Sequence, residues 1–148
     1  MREKLRSVIE TAGVGLLFYL AALLGLRVGL PGTSASPVWI AAGVSLAGAL
    51  LFGRHVLIGV FIAAVLAERT VNPLPLSVAL AAANVVEPLI AATALKRFAH
   101  RRRDLLRPRD TAVLRAFGAG LGAALSATVG ISAIFLSFGL ERSVFVVN

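Results

Sequence analysis

Five apolar runs, parted by turn-forming or strongly basic stretches, constrain this chain more than any single motif does. They cover residues 8–26, 37–52, 56–67, 76–95 and 111–140. A helix needs about 20 predominantly apolar residues to cross about 30 Å of hydrocarbon, and the first, fourth and fifth runs meet that length. Apolar residues make up 58% of the chain, against roughly 45–50% in soluble domains. A soluble chain of 148 residues has too little interior to hide that much apolar surface. The expectation is an all-α integral membrane protein, one domain over residues 1–148, built as a bundle of about five transmembrane helices.

The second and third runs are short, and they could be one long helix with Arg54 at its middle. The distribution of basic residues decides between the two. If the runs form a hairpin, Arg2, Lys4, Arg6, Arg54, Lys96, Arg97, Arg101, Arg102, Arg103, Arg107, Arg109 and Arg115 all face the cytoplasm. Only Arg27, Arg69 and Arg142 then face outward, and the two sets account for all 15 Lys and Arg. Fusing the runs would move the basic stretch after Leu95 to the outside. It would also place an arginine in mid-bilayer, at about 2.5–3.5 kcal/mol or more. The hairpin is therefore expected, with the N-terminus in the cytoplasm and the chain crossing the membrane several times.

The net charge of +8 would suggest nucleic acid in a soluble protein. Here the cations lie between apolar runs, so they read as topology signals and nucleic acid is not an expected partner. The cytoplasmic loop 96–110, with Arg101, Arg102, Arg103, Arg107 and Arg109, faces lipid head groups. Arg2, Lys4 and Arg6 resemble the start of a signal peptide, but the apolar run continues to Leu26 without an obvious processing site, so an uncleaved first helix is expected. The chain has no cysteine. His55 and His100 have no second cluster of ligands nearby, so no metal site is expected. Asp104 and Asp110 lie in the basic stretch as charge partners. No nucleophile–base–acid set can be assembled, so neither an enzyme nor a cofactor is expected. The string from Gly118 to Gly122 has no preceding strand and no βαβ context, which removes a dinucleotide reading.

The informative residues in a membrane helix are the ones that cost something. Glu87 lies near the centre of the fourth run, where an ionisable group should face protein. Asn84 is three residues earlier on the same side of the helix. Ala79, Ala83 and Ala91 share the ridge with Glu87 and allow close approach. The plain reading is interhelical glue made by Asn84 and a protonated Glu87; sensing chemistry and ion handling are the alternatives. Tyr19, Ser45, Ser126 and Thr128 fall near the centres of their runs, and with Asn84 and Glu87 they could form one polar layer. Each hydroxyl could equally satisfy itself on its own helix. Gly118, Gly122, Ser126 and Gly130 repeat every four residues, a pattern for backbone-to-backbone packing within the chain or across a homodimer.

The stretch Ser36-Pro37-Val38-Trp39-Ile40-Ala41-Ala42-Gly43 opens the second run. It resembles the first type of membrane-associated sensor domain, an integral-membrane module of bacterial histidine kinases and diguanylate cyclases. That family shows a Ser-Pro-Val-Trp-Pro-Pro-Ala-Gly-like opening, and Ile40 and Ala41 stand where it has two prolines. Gly53-Arg54 and Gly59 match a following Gly-Arg turn and helix glycine. Asn84 and Glu87, in Ala83-Asn84-Val85-Val86-Glu87-Pro88, match a Gly-Asn-x-x-Glu-Ala signature without its glycine and alanine. The resemblance spans about residues 19–137 and implies a sensory module for two-component or cyclic-di-GMP signalling. Trp39, Asn84 and Glu87 are then the candidate sensing residues, with Trp39 also suited to an aromatic belt. The family continues through more spans into an output domain, so the chain is expected to be a truncated or reduced member. Its partners would be the lipid bilayer and either a second copy, a cytoplasmic output domain or a partner kinase; the ligand is unknown. The competing readings are a small transporter or transporter half using Glu87 as an intramembrane carboxylate, and a structural membrane subunit.

Overall fold

A computed structural model describes residues 1–28 and 39–98, together with positions 112, 116, 120, 124, 127, 128 and 132. Among these residues the fold is all-helical: α1 (Arg2–Arg27), α2 (Ile40–Leu51), a short 3₁₀ turn (Arg54–Val56), α3 (Leu57–Glu68) and α4 (Leu74–Phe98). Most of the fifth run, most of the basic loop, and Gly118, Gly122, Ser126, Gly130 and Arg101 to Arg109 lie outside the described residues.

At 1.5 Å per residue, the 26 residues of α1 reach about 39 Å and the 25 of α4 about 37 Å. These two helices are long and apolar enough to cross a membrane. The 12 residues of α2 and of α3 reach about 18 Å each, short of the hydrocarbon thickness by themselves.

The helix limits differ from the apolar runs for local reasons. α1 starts at Arg2 rather than residue 8 because Arg6 and Glu10, one turn apart, bond at 2.7 Å and carry the helix through its charged end. α2 starts at Ile40 rather than near Pro37, with Trp39 as its N-cap. α4 runs past Leu95 through Lys96 and Arg97, cations that suit the negative end of the helix dipole. Those two residues are therefore helical rather than part of the loop.

The second and third runs are separate helices. Gly53 has φ +110 and ψ 179, a region essentially reserved for glycine, and it ends the path that a continuous helix would follow. Contacts give the direction of each helix. Glu10 meets His55 and Gly15 meets Gly59, so α1 and α3 run parallel. Trp39 meets Asn84 and Arg54 meets Thr93, so α2 and α4 run parallel. The four helices alternate up and down, with α1 and α4 each packed against both α2 and α3.

The packing places small residues inside and large ones outside. The buried stripe of α1 is Val14, Gly15, Phe18, Ala21, Ala22 and Gly25, recurring at helical spacing. Ala41, Ala49, Val60, Ala64 and Ala67 meet it from α2 and α3. Leu16, Leu20, Leu24, Ile58, Ile62 and Leu66 are exposed instead. A soluble domain rarely shows so much large apolar surface to solvent. Close approach is built in where α1 crosses α3: a Cβ on Gly15 would lie 3.0 Å from the Gly59 carbonyl oxygen, and a Cβ on Gly59 would overlap the Thr11 carbonyl. Small residues at such crossings let backbones touch, as in membrane helix pairs.

Candidate sensing site

Trp39 stands at the mouth of α2 because its backbone, φ −98 and ψ 80, has not yet turned helical. Its indole Nε1 donates to Asn84 Oδ1 at 2.8 Å, linking the start of α2 to the middle of α4. Asn84 Nδ2 donates in turn to the Leu80 carbonyl at 3.0 Å, which orients the amide so that its oxygen faces the indole. The rest of the Trp39 ring packs against the apolar core. Leaving one member of such a partly buried pair unmatched costs about 1–3 kcal/mol.

The remaining sequence candidates are not gathered into one layer among the described residues. Ser45 is fully buried and donates to Ala42 of its own helix at 2.9 Å. Tyr19 lies on the α1–α3 face. Thr128 is exposed and donates to Ala124 at 2.8 Å. Ser126 lies outside the described residues. Glu87 is half-buried, and among the described residues no side chain is bonded to it. The Asn84 amide is committed to Trp39 and Leu80, so it does not pair with Glu87.

Glu87 occupies a distinct face of α4. Ala81 and Ala92 join the core with α1, α2 and α3, whereas Ala83 and Ala91, which flank Glu87 along its ridge, are buried outside that cluster. Pro88 is fully buried beside it. Proline has no N–H, so the Asn84 carbonyl loses its usual helical donor four residues on.

Two polar clusters close the ends of the bundle, and sequence reasoning named neither. At one end Glu10 accepts from Arg6 at 2.7 Å and meets His55 Nε2 at 3.2 Å, while Arg54 donates to Thr93 at 3.0 Å. The Arg6 and Glu10 spacing was a readable signal; the pairing with His55 needs the fold. At the other end, Asn72 Nδ2 donates to Glu68 Oε2 at 2.9 Å, and the Asn72 carbonyl accepts from Arg69 at 3.2 Å and Ser77 at 3.3 Å. Glu68 lies just beyond the apolar run 56–67. Burial pushes its carboxyl above the ordinary carboxylate range, and the Asn72 hydrogen bond opposes this only partly. Among the described residues no group of three His, Asp or Glu could hold a metal ion.

The MASE1 family model matches residues 12–146, nearly the whole chain. The chain belongs to the MASE1 family. MASE1 is a membrane-associated sensor domain of histidine kinases and diguanylate cyclases, sensory rather than catalytic. No curated protein and no solved structure gives a significant match. In this MASE1 domain two of the residues that carried the resemblance meet, and a third marks a helix crossing. Trp39 bonds Asn84, and Gly59 is the contact point of α3 on α1.

Proposed function

We propose that this MASE1 domain is a multi-pass sensory module of the bacterial inner membrane that relays a stimulus to a cytoplasmic kinase or cyclase output. The output belongs to another part of the receptor or to a partner chain, in two-component or cyclic-di-GMP signalling. Five spans with a cytoplasmic N-terminus fit the basic residues best. The alternating directions of α1 to α4 agree with that order, since the Arg6–Glu10–His55 cluster and Arg54 share one end. The bilayer is one partner, and a homodimer is the simplest assembly able to pass on a change in helix arrangement.

The observation that carries the reading of the site is the Trp39–Asn84 hydrogen bond. It is a directional link between the start of α2 and the middle of α4, set among apolar contacts, and it breaks when either helix turns. A stimulus acts on such an element only by binding one arrangement more tightly than the other. Glu87, half-buried one turn along, is the second sensing candidate, with the Asn84 carbonyl freed by Pro88 nearby in the chain.

The test places Trp39→Phe, Asn84→Leu and Glu87→Leu separately in a complete receptor that carries this domain. The expected result is a shifted signalling set-point with normal membrane insertion. Unchanged signalling in Trp39→Phe and Asn84→Leu would reduce the pair to packing, and unchanged signalling in Glu87→Leu would leave that residue as interhelical glue.

A further inference from the structure

A groove of about 540 Å³ runs along the seam of α1 and α3, floored by Gly15 and Gly59 and walled by Leu16, Ile58 and Ile62. It extends from Ser7 to Tyr19 on α1, about 18 Å at 1.5 Å per residue. That is close to one leaflet, half of a hydrocarbon core about 30 Å thick. One hydrocarbon chain fits, making carbon contacts at about 3.5–4.0 Å on both walls.

The two ends of the groove differ in chemistry. Ser7, Thr11 and His55 line the end near the N-terminus. Lys4 is exposed and lies one turn before Val8 on the same face of α1, so its ammonium continues the groove towards the interface. The other end closes on Tyr19 and Leu66. A polar mouth with the Lys4 ammonium beyond it, on an apolar slot of about one-leaflet depth, is complementary to an anionic phospholipid.

We propose that the α1–α3 groove is a resident-lipid site. It holds one acyl chain of an anionic phospholipid from the leaflet that meets the N-terminus, with the phosphate beside Lys4. The site rests on the membrane reading above but not on which face is cytoplasmic. An occupant here lies on the Gly15–Gly59 crossing, where α1 and α3 touch.

The test reconstitutes the full chain into phosphatidylcholine vesicles holding a minor fraction of phosphatidylglycerol, with a photoactivatable group in the acyl chain of one lipid or the other. Expected is labelling at Leu16 and Ile62 that favours phosphatidylglycerol, while exposed Val78 and Val86 on α4 label without preference. Lys4→Gln should lower that preference about five-fold. Ala12→Phe fills the groove and should abolish the groove labelling, whereas Gly13→Phe, where nothing lies within 4 Å of an added Cβ, should leave it intact. Equal labelling of groove and α4 by both lipids would overturn the proposal, as would cross-links between copies at Leu16. Absence of labelling at Val78 and Val86 as well would instead overturn the membrane reading itself.

Discussion

Asn84 serves two helices with one amide, its oxygen accepting from Trp39 and its nitrogen donating to Leu80. Asn84→Leu strands the indole N–H and should cost about 1–3 kcal/mol of stability. Trp39 is the only tryptophan, so its fluorescence reports the broken bond directly; an unshifted emission spectrum in the variant would contradict it. Glu68 supplies a pH test. Burial holds its folded-state pKa above the value of an ordinary carboxylate, so between the two the folded state keeps a proton that the unfolded chain has released. Its contribution is full below the ordinary value and is lost as pH rises through the folded pKa. Thermal melts of the wild type should therefore fall relative to Glu68→Gln as pH increases, and the two should converge in acid. A constant gap between them would show that burial of Glu68 has no titrating consequence. Cost alone singled out Asn84 and Glu87 in the sequence, and a motif singled out Trp39. Their pairing was not legible, because the rotation of each helix about its axis depends on packing partners far along the chain.

Among the elements, Gly59 and Gly53 do different work. Gly59→Val would drive a side chain into the backbone of α1 at Thr11, and overpacking of this kind costs about 1–3 kcal/mol or more. Separation of α1 from α3, read by loss of a disulfide engineered across that crossing, should accompany the loss. Gly53→Ala forces a non-glycine residue to φ +110, at about 1–3 kcal/mol; a melting temperature equal to wild type would mean the turn relaxes without strain. The existence and order of α1 to α4 were legible because apolar runs and charge placement are local signals. Their ends were less so. Hydropathy starts the first helix at residue 8, yet Arg6 and Glu10 extend it to Arg2 by pairing along the helix. Gly59 matched a motif position, and only the crossing of α1 over α3 gives the physical reason for it.

At the scale of the molecule, the interior of alanine and glycine under an exterior of leucine and isoleucine is what lipid as solvent selects. The cysteine-free sequence makes the proposed topology directly testable with Arg103→Cys. An impermeant thiol reagent should leave it unmodified in intact cells and modify it after lysis; modification from outside would reverse the arrangement. The bonds already described have a mechanical consequence. α2 is tied to α4 near both of its ends, through Trp39–Asn84 and Arg54–Thr93, so this pair has little freedom to slide lengthwise. His55 in the adjoining turn is bonded to α1 instead, which makes that turn a pivot shared by both helix pairs. A disturbance at Trp39 would then cross the bilayer as a tilt of one pair against the other rather than as a piston stroke.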